Sequence, residues 1–291
     1  MRFEYLEPES IREALEMLSR HHGKAKILAG GTDVMLQIRY RQIRPEVVID
    51  ITRIPGLDEM TFEDSRGLKL GALTTIRVLE TSPRIQEGFP ILSQAAAQLG
   101  SVAIRNVATV GGNLCNALPS AETPQVLIAL SAQVRTIGPR GERILPLEDF
   151  LTGVGKTVLQ PDELLLEILV PETAPHTFGT YIKHSSRGAI DLAIVNITVL
   201  LTMEPDKRVC REAKIVLGAV SPTPLRAGNA EKVLRGKKID GTVIDEAARA
   251  ASEEAHPRKG SIRGSFEYKK EMVRVLTGRA IRDIAVAAGA T

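Results

Sequence analysis

Two glycine pairs, each placed directly after an apolar run, constrain the fold of this sequence more than any other feature. The first pair lies in LAGGTDVMLQIRY (residues 28–40), and the second lies in TVGGNLCNALPSAETP (residues 109–124). Glycine loses more conformational entropy on folding than any other residue, so a glycine pair indicates a backbone that turns tightly or closely approaches another group. We therefore expect each pair to form a loop between a strand-like run and a helix.

Loops of this kind are suited to binding phosphate. A phosphate needs several main-chain N–H donors directed towards it, and glycine leaves such donors accessible because it has no Cβ atom. In the first loop the amides of residues 30–34 can form this cradle, and Thr32 can donate through its hydroxyl or act as the N-cap of the next helix. In the second loop, Gly111 and Gly112 allow close approach and Asn113 offers a side-chain amide. One glycine pair alone is usually only a turn, so our prediction that main-chain amides hold a diphosphate depends on both loops.

Other kinds of site are disfavoured by the motifs that the sequence lacks. Neither G-x-G-x-x-G nor G-x-x-x-x-G-K-[ST] occurs, which argues against a Rossmann nicotinamide site and a P-loop. No C-x-x-C motif occurs, so we expect no metal and no iron–sulfur cluster held by this chain. The nucleophile motif G-x-S-x-G is also missing. We expect Cys115 to be a small buried side chain rather than a reactive thiol.

Length, charge and cysteine usage limit the class of protein. The 291 residues are more than one hydrophobic core usually needs, which predicts two or three domains. The 38 basic and 35 acidic residues include no long basic block, which argues against a dedicated nucleic-acid binder. No apolar run approaches the roughly 20 residues that span a bilayer, and the N-terminal MRFEYLEPES does not resemble a signal peptide. Two widely separated cysteines favour a reducing, cytoplasmic setting.

Hydrophobic periodicity predicts an α+β arrangement in three segments. Residues 1–55 are predicted to alternate strands and helices, with Ser10 as the N-cap of the first helix. Residues 56–175 are predicted to contain two hairpins, several helices and a buried strand. In residues 176–291, three strands precede three helices. The stretch YIKHSSRGAIDLAIVN (residues 181–196) taken alone indicates a strand, a turn and a strand.

Three motifs in this order and at these separations carry a family resemblance. AGGTDVM, IRNVATVGGNLCNALPSAETP and YIKHSSRGAIDLAIVN resemble the FAD-binding (medium) subunit of the molybdenum hydroxylases, which include aerobic carbon monoxide dehydrogenase and xanthine dehydrogenase. The resemblance covers essentially the whole chain. It implies a vanillyl-alcohol-oxidase-type FAD-binding fold with two α/β subdomains, residues 1–55 and 56–175. A C-terminal α+β flavoprotein domain, residues 176–291, would combine a three-stranded sheet with helices.

The same resemblance implies a set of residues that bind FAD. The diphosphate would lie between residues 29–35 and 109–113. Glu122 would contact the adenosine ribose region, Leu166 would make backbone contacts, and Lys183 would approach the flavin ring. The implied cofactor-binding residues are Leu28, Ala29, Gly30, Gly31, Thr32, Asp33, Val34, Met35, Thr109, Val110, Gly111, Gly112, Asn113, Glu122, Leu166 and Lys183. Ile190 and Leu192 would fall near the flavin face.

The resemblance further implies a flavoprotein subunit of a molybdenum hydroxylase. A large molybdenum subunit would oxidise the substrate, and iron–sulfur clusters on a small subunit would deliver electrons to FAD on this chain. The acceptor would be external, such as NAD⁺ or a quinone, and the assembly would be a dimer of heterotrimers. This chain would contribute no catalytic residue and no metal ligand. Two alternatives stay open: a self-sufficient FAD-dependent oxidase or dehydrogenase of the same fold, with His184 as its acid–base candidate, and a non-enzymatic scaffold subunit.

Overall fold

The protein is described from a computed structural model that covers residues 2–63, 67–188, 190–205 and 208–289. The strands are β1 (Glu4–Leu6), β2 (Ala25–Leu28), β3 (Val47–Asp50), β4 (Met60–Glu63), β5 (Gly67–Gly71), β6 (Gln133–Gly138), β7 (Gly141–Pro146), β8 (Leu151–Gly153), β9 (Lys156–Thr157), β10 (Leu164–Val170), β11 (Thr177–His184), β12 (Val195–Met203), β13 (Cys210–Gly218) and β14 (Leu225–Arg226). The helices are α1 (Ile11–Arg20), α2 (Val34–Arg39), α3 (Ile76–Thr81), α4 (Pro83–Gly88), α5 (Pro90–Ala97), α6 (Val102–Arg105), α7 (Val110–Asn116), α8 (Thr123–Ala129), α9 (Leu147–Phe150), α10 (Gly228–Leu234), α11 (Gly241–Glu254) and α12 (Phe266–Ala288). This mixture of sheets and helices confirms the predicted α+β class.

A small parallel sheet, in the order β1-β3-β2, forms the first part of the chain. Parallel neighbours need a crossover connection, and α1 provides it between β1 and β2. Ser10 caps α1 as predicted, because its hydroxyl accepts the Glu13 amide at 3.2 Å. Ala14 and Leu18 are buried on one face of α1, as their spacing of four residues predicts. This sheet positions the first glycine loop, which starts where β2 ends.

A five-stranded antiparallel sheet follows, in the order β4-β5-β10-β6-β7. Both predicted hairpins are present, and Gly138 pairs with Gly141 at the tip of the second. The tip of the first hairpin falls on residues 64–66, which lie outside the described residues. The central strand β10 contains a register shift between Leu165 and Glu167. Such a bulge leaves one residue outside the regular pairing.

The C-terminal part packs helices on an antiparallel sheet in the order β11-β12-β13-β14. Every residue of β12 is buried, because it lies between two neighbouring strands and under helices. The apolar residues of α11 and α12 complete the core of this part. The two-residue strand β14 is additional to the three strands that the sequence predicts.

The internal contacts of the chain define two compact units. Unit 1 contains Met1–Leu79, Val102–Ala117 and Ala132–Pro171, whereas unit 2 contains Glu80–Ser101, Leu118–Ser131 and Glu172–Thr291. Both glycine pairs belong to unit 1, and both Glu122 and Lys183 belong to unit 2. The three-segment division stays a prediction. In the described part of the chain, every helix is too short or too polar to cross a membrane.

Candidate functional site

The first glycine loop, residues 28–35, connects β2 to α2. Gly31 has a φ of +72°, a left-handed conformation that other residues adopt only at a cost. Gly30 is required for a different reason. A Cβ atom at Gly30 would lie 1.9 Å from the carbonyl oxygen of Val107 and 2.9 Å from the Cα of Ala108. The loop is therefore pressed against the main chain just before the second glycine pair, and the fold brings the two glycine segments together.

The main-chain amides of the first glycine loop are open. Among the described residues, none accepts a hydrogen bond from the amides of residues 30–34. Residues 30–34 are half-buried or exposed. A run of consecutive N–H donors without protein acceptors is suited to an anion with several oxygens. The diphosphate cradle stays a prediction, and the open amides are the observation that supports it.

The helix after this loop does not begin as the sequence suggests. Thr32 was a candidate N-cap, but α2 starts at Val34 and its N-cap is Asp33, so that prediction is wrong. The chain is still turning at Thr32, because Gly31 holds the left-handed bend immediately before it. In the described part of the chain, the Thr32 hydroxyl has no hydrogen-bond partner, and it remains available to a ligand.

The second glycine segment, residues 109–113, forms the start of a helix rather than a loop. Thr109 is the N-cap of α7, and its Oγ1 accepts the Gly112 amide at 3.1 Å. Both glycines occupy the first turn of this helix, and neither has a positive φ. A Cβ at Gly111 would lie 2.6 Å from the Ala72 carbonyl oxygen. Glycine is therefore needed there for packing against the chain after β5.

The amides of the second glycine segment already have acceptors inside the protein. Val110 donates to the Thr74 carbonyl at 2.9 Å, and Gly111 donates to the Ala72 carbonyl at 2.9 Å. Asn113 donates to the Thr109 carbonyl at 2.9 Å. The prediction that main-chain amides of this segment grip a diphosphate is therefore wrong. Contacts of its residues with FAD, including any contact of the half-buried Asn113 side chain, stay a prediction.

Glu122 and Lys183, which the sequence analysis placed at different parts of FAD, form one buried ion pair in unit 2. The Lys183 Nζ lies 2.8 Å from Glu122 Oε1, and the two side chains are only 3% and 7% exposed. Lys183 also donates to the Gln98 carbonyl at 2.9 Å. Burial, and then the neighbouring Glu122 charge, hold the pKa of the Tyr181 hydroxyl well above its usual value. The two charges compensate each other, and their contacts with FAD stay a prediction.

Leu166 lies at the bulge of β10, between residues whose pairing register shifts. Its side chain is 7% exposed and packs in the core, while its carbonyl accepts the Ala72 amide at 2.8 Å. Any contact of Leu166 with a ligand would therefore come from its main chain, which is the kind of contact that the resemblance implies.

The loop after β11 presents two exposed apolar side chains. Ile190 is 65% exposed and has a φ of +50°, which is strained for a β-branched residue. Leu192 is 40% exposed. The His184 ring, the acid–base candidate, is hydrogen-bonded through Nε2 to the Tyr268 hydroxyl at 2.8 Å. This geometry leaves the flavin-face assignment of Ile190 and Leu192 as a prediction.

The sequence-based expectation was wrong about the exposure of one residue of α7, Cys115, and missed another, Asn116. Cys115 is exposed rather than buried, although the protein atoms around it desolvate the thiol and raise its pKa to about 12. It therefore stays protonated near neutral pH. Asn116 was missed, yet its Oδ1 accepts a hydrogen bond from Gln37 Nε2 of α2 at 3.4 Å. The available signal was an asparagine at the end of a helical run, where a polar side chain can bridge neighbouring elements.

Metal binding has no support in the described residues. None of the groupings of histidine, cysteine, aspartate and glutamate side chains there is arranged to hold a metal ion.

Two family models together match nearly the whole chain. Residues 1–173 match the model described as the FAD binding domain in molybdopterin dehydrogenase, and residues 180–284 match that of the CO dehydrogenase flavoprotein C-terminal domain. Among curated proteins, the 6-hydroxypseudooxynicotine dehydrogenase complex subunit alpha of Paenarthrobacter nicotinovorans is 34% identical, over 96% of this chain and 93% of its own length. The carbon monoxide dehydrogenase medium chain of Hydrogenophaga pseudoflava is 33% identical, over 96% of both chains.

Comparison with solved structures points to the same family. A chain of carbon monoxide dehydrogenase from Hydrogenophaga pseudoflava superposes with a TM-score of 0.94 at 34% identity, covering 99% of this chain and 98% of that one. A chain of quinoline 2-oxidoreductase from Pseudomonas putida 86 superposes with a TM-score of 0.92 at 30% identity, with the same coverage of 99% and 98%.

Proposed function

This chain belongs to the FAD-binding subunits of the molybdopterin dehydrogenases, and from that premise we propose that it connects iron–sulfur clusters of a partner subunit to an external electron acceptor. Its fold is the FAD-binding fold of the carbon monoxide dehydrogenase medium chains, and its cofactor is FAD. It is a subunit of an oxidoreductase.

The observation that carries the proposal is the row of open amides at residues 30–34. FAD contains a diphosphate, and consecutive main-chain donors without protein acceptors match its anionic oxygens. The Thr32 hydroxyl adds a donor, and the Val107 main chain packed against Gly30 fixes the shape of the loop. These residues would hold the diphosphate, while the bound flavin supplies the redox chemistry.

The protein's other contribution is electrostatic. In our proposal, Glu122 contacts the adenosine ribose region and Lys183 approaches the flavin ring, as the family resemblance implies. The two side chains form an ion pair that is almost completely buried, so either contact with FAD would require the pair to separate. No residue of this chain is required as a general acid or base.

The remaining parts of the proposal concern the assembly. A large molybdenum subunit would oxidise the substrate, and a small iron–sulfur subunit would stand between it and this chain. Relatives named as a complex subunit and as a medium chain support the existence of such partners. We propose a dimer of heterotrimers in the cytoplasm, with NAD⁺ or a quinone as the acceptor.

A titration of the full-length chain with FAD tests the proposal directly. We expect the apoprotein to take up one FAD, with quenching of flavin fluorescence and a visible spectrum of bound flavin. Co-expression with the two partner subunits should give a complex in which substrate reduces the bound flavin. A chain that takes up no FAD would support the scaffold alternative. Reduction of flavin by a substrate without any partner would support the self-sufficient enzyme instead.

A further inference from the structure

The outer face of α2 carries side chains that are unusual for a helix surface. Helix α2 buries Ile38 on its inner face, so polar side chains are expected on the opposite face. Instead, Leu36 is 48% exposed and Tyr40 is 67% exposed. These two residues are four positions apart and therefore neighbours on one side of the helix. The Tyr40 hydroxyl forms no hydrogen bond with a described residue.

Three arginines accompany these apolar side chains. Arg39 is the last residue of α2, and Arg41 and Arg44 follow it closely. All three are exposed, and none forms an ion pair within the part of the chain that the structure describes. The sequence contains no aspartate or glutamate from Val34 to Pro45, so this positive charge is not compensated locally. We refer to the following residues as the α2 face: Leu36, Arg39, Tyr40, Arg41 and Arg44.

Arg41 occupies a position where glycine would be more stable. Its amide donates to the Ile38 carbonyl at 3.0 Å, and the Gln42 amide donates to the Gln37 carbonyl at 2.8 Å. These two bonds are those of a Schellman motif, in which the residue after the C-cap is left-handed and usually glycine. Arg41 has the left-handed φ of +58°. Because a Cβ is strained in this conformation, the arginine points to a task for its side chain outside the fold.

The composition of the α2 face is that of a protein interface. Tyrosine and arginine are enriched among the residues that dominate binding energy in interfaces, whereas lysine, aspartate and glutamate are depleted. Arginines without acidic neighbours favour a partner surface of negative charge. Relatives of this chain are named as a complex subunit and as a medium chain, so partner subunits are the expected occupants of such a face.

An iron–sulfur subunit fits this face better than other partners do. A [2Fe–2S] cluster held by cysteine thiolates is negatively charged in either oxidation state, so its carrier presents negative potential where the cluster approaches the surface. Helix α2 also follows directly after the first glycine loop, whose open amides support the diphosphate site. A partner on α2 would therefore be close to FAD, and electrons pass between cofactors only over short distances.

We propose that the α2 face is the docking surface for the iron–sulfur subunit. Tyr40 is its apolar anchor, and Arg41 and Arg44 select an acidic partner surface. The inference rests on the proposed function, since it names the surface that binds the electron donor. None of the α2 face residues belongs to the predicted FAD-binding set, so docking and FAD binding can be measured separately.

Calorimetric titration of the FAD-loaded full-length chain with the iron–sulfur subunit tests the inference. Tyr40→Ala should weaken this binding by about 10- to 30-fold, the effect of losing an interface anchor. Arg41→Gly should weaken it by about 5-fold at low salt, and Arg44→Gln by a similar factor. High salt should reduce both arginine effects and leave the Tyr40 effect, because only charge interactions are screened.

Arg41→Gly gives a second readout that a merely structural residue would not give. Glycine adopts the left-handed φ without strain, so the midpoint of thermal unfolding of the apoprotein should rise while affinity for the partner falls. Loss of affinity in a more stable protein cannot result from misfolding. An unchanged affinity of Arg41→Gly and Arg44→Gln at low salt would show that these arginines do not select the partner, and would overturn the inference.

Two control variants lie in the same unit, away from α2. Ile144 on β7 is 55% exposed, and Arg140 in the hairpin turn is exposed and has no ion pair with a described residue. Ile144→Ala and Arg140→Gln should retain the wild-type affinity for the iron–sulfur subunit. Every variant should also retain the wild-type affinity for FAD, measured by quenching of flavin fluorescence.

The remaining outcomes separate this inference from the proposed function. If the wild-type chain binds the iron–sulfur subunit and Tyr40→Ala binds it equally well, the inference is overturned and the proposed function stands. If the α2 variants lose only self-association, or only affinity for the large subunit or for anionic vesicles, the face has another occupant and the inference is also overturned. A wild-type chain that takes up no FAD, or that binds no iron–sulfur subunit, would refute the proposed function and this inference with it.

Discussion

The two glycine segments of unit 1 have similar sequences, but the fold uses their main-chain amides differently. In the first glycine loop the amides of residues 30–34 have no acceptor among the described residues, and Gly31 needs its positive φ. In the second segment, the amides of residues 110–113 all have protein acceptors, and Gly111 is needed for close packing. A glycine pair therefore indicates an unusual backbone but does not say whether its donors face a ligand or the protein.

The Glu122–Lys183 pair extends this comparison to side chains. Like the second glycine segment, it consists of residues predicted to contact FAD whose polar groups already have partners inside the protein. Groups of this kind should affect the stability of the apoprotein when they are changed. The open groups of the first glycine loop should affect FAD binding more than stability. The predictions that follow test this distinction.

The largest effect is expected for Lys183→Met. Removing one member of a buried ion pair leaves the other charge uncompensated, which costs about 3–5 kcal/mol. We expect this loss in the free energy of unfolding of the apoprotein, measured by denaturant titration without FAD. The double variant Glu122→Gln/Lys183→Met should recover part of the loss, because no isolated charge remains. Lys214→Met is a control in strand β13 of the same sheet. Its more exposed contact with Glu212 should be worth less than about 1 kcal/mol. If the Lys183→Met apoprotein keeps its stability but loses FAD binding, Lys183 acts on the ligand, as the open groups of the first glycine loop are expected to do.

The next effect is expected for Gly111→Ala. The added Cβ would lie 2.6 Å from the Ala72 carbonyl oxygen and 2.7 Å from the Ala72 Cβ, so the backbone has to shift. Overpacking of this kind costs about 1–3 kcal/mol, and we expect the loss in the apoprotein without any ligand. Gly88→Ala serves as the control, since a Cβ there meets nothing within 4 Å. It should be neutral or slightly stabilising in its helix. If Gly111→Ala leaves the stability of the apoprotein unchanged but abolishes FAD binding, Gly111 lies at the phosphate site after all.

Gly31→Ala should affect stability and binding together. A left-handed φ costs a residue with a Cβ about 1–2 kcal/mol, and the φ of Gly31 is +72°. Gly23→Ala is a closely matched control in the same unit, because Gly23 has a φ of +74° and a Cβ there meets nothing within 4 Å. We expect similar losses of apoprotein stability from both substitutions. Only Gly31→Ala should also weaken FAD binding, because only its relaxation changes the direction of the open amides. Equal FAD affinity of the two variants would argue against a diphosphate in this loop.

The sequence predicted most of the architecture for physical reasons that operate locally. Ser10 at the start of an amphipathic run capped α1 as expected, and Gly138 and Gly141 formed the predicted hairpin tip. These features depend on neighbouring residues and on a period of two or 3.6, so they can be inferred from short windows. The cofactor and the FAD-binding fold were inferred from the family resemblance, because composition and periodicity alone do not specify them.

The roles of the site residues were harder to predict, because each role depends on partners that are distant in the sequence. Whether Gly111 presents its amide to a ligand depends on Ala72, and the side chain of Gln37 has its partner in Asn116. Neither partner is near its counterpart in the sequence, and no propensity specifies the contact. The same holds for Glu122 and Lys183, whose pairing requires elements far apart in the chain to pack together. Local motifs therefore selected candidate residues, but they did not determine which polar groups the protein itself would engage.

The smallest and most specific test compares two threonines, one from each glycine segment. Thr109 accepts the Gly112 amide, so Thr109→Val should destabilise the apoprotein by about 1 kcal/mol through loss of the N-cap. The Thr32 hydroxyl has no partner among the described residues, so Thr32→Val should leave apoprotein stability unchanged. In FAD titrations, however, Thr32→Val should weaken binding by roughly 5-fold, which is about the net value of one hydrogen bond. Because valine matches the shape of threonine, both changes remove a hydroxyl and little else. If Thr32→Val destabilises the apoprotein and leaves FAD affinity intact, the first glycine loop uses its polar groups internally, and the contrast between the two segments disappears.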